Sequence, residues 1–146
     1  MTLFMETTIV SVDRTLSELQ TILVKHGATA IMSEYEAGQV THVSFKCPTP
    51  GGDTPVRLPC KWEQIVALLR KEGRMPKRGD TWETWGRRVA WRTVFHWVRA
   101  QMAFVAAEQV RLDEVFLPYM QVGPEGQTAY QMLAAREFKM LAGPLS

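Results

Sequence analysis

The chain has 146 residues, 46% of them hydrophobic and 22% charged, with a formal net charge of +2 and a pI near 8.7. That composition suits one compact globular domain with a real core and excludes a disordered tail or a low-complexity tract. No apolar run approaches the roughly 18 to 20 residues needed to span a bilayer, and the opening MTLFMETT lacks the charged start and apolar stretch of a signal peptide, so no membrane association and a cytoplasmic location are expected.

Residues 6–12, ETTIVSV, are rich in β-branched types and predict a first strand. Thr15 with Glu18 has the spacing of a capping box, Leu16, Leu19, Ile22 and Leu23 follow at helical spacing, and Gly27 offers a stop; a first helix is expected over about Leu16 to His26. Two strands follow, at about Thr29–Glu36 and Val40–Cys47, with Ala37-Gly38 as the turn of a hairpin. Ile31, Ser33 and Tyr35 alternate with Ala30, Met32 and Glu34, and Val43 and Phe45 with His42 and Ser44, as in an antiparallel sheet with one buried face. PTPGGD reads as a loop, from which a fourth strand returns over Pro55 to Cys60.

Trp62, Ile65, Val66, Leu68 and Leu69 mark a second helix ending at Gly73, followed by the basic connector RKEGRMPKRG. The strongest pattern runs from Asp80 to Gln109, a single long helix capped by Asp80 and Glu83 and carrying four tryptophans. Trp91, Val94, Phe95, Val98, Met102 and Val105 form one apolar face, and Val89, Trp97, Ala100 and Phe104 a second. Arg88, Arg92, His96 and Arg99 share a narrow strip between them. A helix apolar on two sides is central to a fold or shared with a partner. Pro118 breaks continuation through RLDEVFLPYM, Gly123 to Gly126 form a turn, and Thr128 with Gln131 opens a last helix carrying Tyr130, Leu133, Ala134, Phe138 and Leu141, closed by Gly143-Pro144. The fold class expected is α+β: an antiparallel sheet of three to four strands with helices on one face, a long Trp-rich helix and a C-terminal helical section. One domain is expected over 1–146, with an α/β front part at 1–73, the connector at 70–79 and a helical part at 80–146.

The chemistry-bearing residues are sparse. His26, His42 and His96 are scattered and belong to no metal-binding pattern. Cys47 and Cys60 are not a CxxC pair; they read as free thiols, with a cross-strand disulfide the alternative. Glu34 with Glu36, and Asp113 with Glu114, have the look of solvated surface charge rather than an acid–base pair. No phosphate-binding glycine loop or nucleophile elbow occurs, so no enzyme activity, metal or cofactor is expected.

One constellation stands out. Arg70, Lys71, Arg74, Lys77 and Arg78 crowd the connector, and Arg88, Arg92 and Arg99 extend the charge along the long helix, with Trp82 and Trp85 at the junction. Cations that neutralise phosphates beside indoles on which bases stack form the logic of single-stranded DNA binding. A second possibility is protein docking through VFLPYM, with Phe116, Leu117 and Tyr119 as anchors, either on a host protein or in a homo-oligomer.

The stretch RRVAWRTVFHWVRAQMAFVAAEQVRLDEVFLPYM resembles a group of small, mostly uncharacterised phage proteins in which an A-x-R-x-x-W-R helix leads to x-x-E-V-F-L-P-Y. The T-L-S-E-L and H-G-A segments ahead of the hairpin are similar in outline. The resemblance implies a phage origin and no particular activity. The chain also contains no asparagine, which fits either GC-rich coding or a host from a hot environment. Phage proteins of this kind serve DNA replication and recombination, the leading expectation here, or redirect a host machine such as bacterial RNA polymerase, the alternative.

Overall fold

The computed structural model describes residues 3–141 and Gly143. It is α+β, and the chain divides into two compact units, Met1–His26 with Pro59–Phe104 and Gly27–Leu58 with Val105–Ser146. The basic connector lies within the first unit.

The first unit holds three helices, α1 (Val12–Lys25), α2 (Trp62–Lys71) and most of α3 (Trp82–Ala106). Residues 6–12 do not form the expected strand. The segment turns twice, with Glu6 N–H bonded to Leu3 O and Thr8 N–H to Met5 O, and Met5 is left-handed at φ 62°. Among the described residues no neighbouring strand takes its backbone groups. Instead the Trp85 indole donates to Glu6 O at 2.8 Å and Arg88 Nε to Thr8 O at 3.0 Å. β-Branched residues favour a pleated surface only where there is a sheet to join.

α1 starts four residues earlier than expected because Ser11, not Thr15, is its cap; the Ser11 hydroxyl accepts the Arg14 N–H. Thr15 is instead fully buried beside Leu16, Leu19 and Leu23. α3 is shorter than the expected 80–109. Thr81 is its cap, with Oγ1 accepting the Thr84 N–H at 3.1 Å, while Asp80 accepts the Thr81 N–H at 3.0 Å and Glu83 pairs with Arg87. The first apolar face of α3 is core, from Trp91 through Val94, Phe95 and Val98 to Met102, whereas the second is buried only at Val89; Trp97 is half-buried and Ala100 and Phe104 are exposed. The Trp91 indole N–H is buried without an acceptor among the described residues. α2 and α3 meet at Gly86, where an added Cβ would stand 2.4 Å from Val66 Cγ2 and 3.3 Å from Trp62 O.

The second unit is built on a three-stranded antiparallel sheet in the order β1 (Ala30–Glu36), β2 (Gln39–Thr49), β3 (Gly52–Arg57). The expected PTPGGD loop narrows to Pro50-Gly51, because β2 runs on to Thr49 and pairs with Gly52. The returning strand therefore lies at 52–57 rather than 55–60. Val43, Phe45, Cys47 and Val56 are buried on one sheet face. Phe116, from α4 (Leu112–Phe116), closes on Phe45 edge-to-face at 5.2 Å. A 3₁₀ turn at Leu117–Tyr119 leads to a two-stranded ribbon, β4 (Gln121–Val122) and β5 (Gln127–Thr128). The Thr128–Gln131 capping box opens α5 (Ala129–Ala135) as the sequence implies. α5 stops at Ala135, before Phe138 and Leu141, as Glu137 and Phe138 adopt φ near +55°. Pro144, of the expected Gly143-Pro144 closure, lies outside the described residues. Among those described, no helix is long and apolar enough to cross a membrane.

Candidate functional site

The cationic constellation lies in the first unit, and its two halves have different fates. Along α3, Arg88 forks onto Asp80, with Nη2–Oδ2 at 2.7 Å and Nη1–Oδ1 at 3.4 Å, while its Nε serves Thr8 O. Both partners are largely buried, at 19% and 15% side-chain exposure. Arg92 binds the Glu18 carboxylate of α1 and leans over the Phe95 ring at 4.5 Å. The hydrogen bond from Arg92 holds the Glu18 carboxyl below its ordinary pKa, and the hydrogen bond from Arg88 does the same for Asp80. His96 sits edge-on to Phe4 and Phe95; burial pushes its pKa down, and the nearby Arg92 and Arg99 charges reinforce the shift. The expected strip of positive charge is therefore consumed internally over most of its length. Only Arg99 remains exposed on it.

The connector keeps more of its charge. Lys71, Lys77 and Arg78 are exposed and form no ion pair among the described residues. Arg74 is tied to Glu6 at 3.3 Å, a carboxylate only 5% exposed. Glu6, Arg74, Lys77, Asp80 and Arg88 surround a cavity of about 200 Å³ between the N-terminal segment and the connector. Arg70 lies over Trp82 at 4.9 Å, and Trp82 stacks on Trp85 at 5.9 Å and 26°. Trp82 is thus half-buried and in contact with both Arg70 and Trp85, and Trp85 is engaged through its ring and its N–H. The two indoles expected as a platform for base stacking therefore already contact each other and Arg70 within the fold.

Arg87, which the sequence reading did not single out, is the most enclosed cation. It is 7% exposed, pairs with Glu83 at 3.0 Å and lies over Trp62 at 4.4 Å. Its i, i+4 spacing from Glu83 was the available signal.

In the second unit the three expected docking anchors separate. Phe116 is fully buried against Phe45 and anchors the core. Tyr119 is half-buried. Leu117 is 57% exposed. It joins Met120 and Val122 in a shallow groove of about 610 Å³ whose polar lining is Thr49, Thr54, Arg111, Asp113 and Glu114. Arg111 donates to Asp113 at 3.0 and 3.3 Å across this border and lowers the Asp113 pKa.

Cys47 and Cys60 are both free. Burial pushes Cys47 up to about 11 and Cys60 to about 12, which leaves neither a ready nucleophile at neutral pH. No group of three or more His, Cys, Asp or Glu side chains able to hold a metal ion occurs among the described residues. Comparison with protein-family models, with curated proteins and with solved structures returns no match to this chain.

Proposed function

We propose that this protein is a non-enzymatic, phage-encoded regulator that works by docking on a protein of its bacterial host, with the transcription machinery the first partner to test. The observation that carries the reading is the Leu117 groove: an exposed leucine and two apolar neighbours set inside a polar border. Buried apolar anchors ringed by polar groups that exclude water are how protein interfaces concentrate their binding energy. The pairing of Arg88 with Asp80 and of Arg92 with Glu18 favours this reading over a polyanion track. A charge spent on an internal carboxylate releases no counterion from nucleic acid.

The test is capture from bacterial lysate after nuclease treatment, repeated with purified RNA polymerase. Wild-type protein retains one stoichiometric partner, and Leu117→Asp lowers its affinity by at least about tenfold, the loss expected of an interface anchor. Equal capture by Leu117→Asp removes the groove from the mechanism.

A second reading rests on Lys71, Lys77 and Arg78, whose exposed charges suit the backbone of single-stranded DNA in replication or recombination. Each phosphate contact contributes about −0.7 to the slope of log affinity against log salt for a single strand, so replacing all three with Gln flattens that slope by about two units. Absence of binding to labelled single strands at low salt retires this reading.

A further inference from the structure

We propose that the outer edge of β1 pairs with the same edge of a second copy of this chain, antiparallel and centred on Ser33, joining two three-stranded sheets into one of six strands. The proposal stands independently of the Leu117 groove.

The hydrogen-bond phase supplies the first argument. Leu58 N–H donates to Val43 O, and Thr29 N–H donates to Lys46 O. Val43 therefore directs its backbone groups toward β3 and Lys46 toward β1. Alternation along β2 then turns His42, Ser44 and Lys46 to β1, where they face Glu34, Met32 and Ala30. The backbone groups of Ile31, Ser33 and Tyr35 are left pointing outward, and β1 pairs with β2 alone among the described residues. The register irregularity near Glu34 and Tyr35 places its extra residue, Thr41, in β2, so the outer edge of β1 stays regular. An open, regular edge is a template for another strand.

Side-chain complementarity supplies the second. A two-fold axis through the Ser33 pair sets Ile31 opposite Tyr35 of the second copy, Met32 opposite Glu34, and Ala30 opposite Glu36. Ser33 with Ser33, and Ile31 with Tyr35 twice, become hydrogen-bonded pairs that use just the outward groups. Tyr35 lies on the core-facing side of the sheet yet is 64% exposed, because β1 has no outer neighbour. Ile31 of the second copy fills that position with an aromatic–β-branched pair. On the other face Lys46 adjoins Ala30 in register. The small Ala30 side chain leaves Glu36 of the second copy open to Lys46, and no two carboxylates stand directly opposite. A flat edge that aggregates has no such register; here charge and bulk agree on one centre.

The experiment combines mass measurement with cross-linking. Light scattering across a dilution series gives twice the 16.6 kDa chain mass at the concentrated end. Ser33→Cys forms a disulfide-linked dimer under mild oxidation, because directly opposed hydrogen-bonded residues have Cα atoms about 5.5 Å apart, within disulfide reach, whereas Met32→Cys faces Glu34 and does not. Ser33→Pro removes an outward N–H without touching the β1–β2 ladder, so circular dichroism is unchanged and the dimer dissociation constant rises at least about tenfold. Glu36→Lys weakens the dimer, and Glu36→Lys with Lys46→Glu restores it. A monomer at every concentration up to about 100 μM, far above the range of a specific dimer, overturns the proposal. Equal cross-linking at positions 32 and 33 also overturns it, and this readout does not depend on the proline variant folding.

Discussion

Arg88 and Asp80 make an ion pair in which both side chains are largely buried. The carboxylate holds the guanidinium fork, and the fork's remaining Nε fixes Thr8 O, so one residue ties the connector and the N-terminal segment to α3. Hydrogen bonds to charged groups contribute roughly 1.5–3 kcal/mol, and Asp80→Asn is expected to lose about that much at pH 7. The pH dependence follows from the sign of the shift. Asp80 has a folded pKa below its unfolded value, so its contribution is complete above the unfolded value of 3.8 and disappears as the pH falls through the folded one. Urea titrations of both proteins should therefore show a gap at pH 7 that narrows as the pH falls below 3.8; a gap that stays constant with falling pH would mean the variant acts through packing instead. The two thiols offer a second measurement at this scale. With Cys47 near 11 and Cys60 near 12, alkylation at pH 8 should be much slower than for a free thiol of pKa about 8.5 and should recover its speed in denaturant. Pairing was the part of the site that the sequence could not supply. The i, i+4 link of Glu83 to Arg87 is local, but Glu18 and Arg92 are 74 positions apart, and nothing in their spacing foretells that they meet.

The elements divide by whether their determinants are local. The hairpin of β1 and β2, the start of α2, the capping box of α5 and the apolar stripe of α3 each rest on residues a few positions apart, and each appears where the sequence places it. ETTIVSV fails as a strand because a strand needs a neighbour, and Thr15 fails as a cap because Ser11 starts the helix one turn sooner. Gly86 illustrates the opposite limit. Within a helix it invites replacement by alanine, which gains about 1 kcal/mol in propensity. Its Cβ would strike Val66 at 2.4 Å, and Trp62 O closes the other side, so overpacking of about 1–3 kcal/mol outweighs that gain. Gly86→Ala is thus expected to lower the melting temperature, and Val66→Ala in the same chain to lessen the added cost of the substitution. A double-mutant cycle measures that coupling directly; strict additivity would show that α2 and α3 do not touch there.

At the scale of the whole molecule, the α+β class was readable from periodicity, but the division into units was not. The connector, which looks like a seam in composition, is inside one unit, and the chain changes unit after His26, Leu58 and Phe104. Composition marks charge and turns; it does not mark which segments distant in sequence bury one another. Cutting at residue 73 is accordingly expected to leave no folded fragment, because 1–26 and 59–72 would lose α3, the helix that carries most of their core. A fusion of 1–26 to 59–106 keeps α1, α2 and α3 together and should give a cooperative helical unfolding transition by circular dichroism; an unstructured fusion would show that the first unit is not autonomous.

The separation of Glu18 from Arg92 also bears on how the protein is made. α1 leaves the ribosome long before α3, whose Arg92 binds Glu18 and Thr15 of α1. At roughly 5–20 residues per second, a separation of 74 positions takes about 4–15 s to translate. During that interval the nascent chain carries a bare amphipathic segment, with the three strands of 30–57 already synthesised but still without Phe116. Chaperone capture should therefore fall on the N-terminal helix and cease once translation has passed Met102.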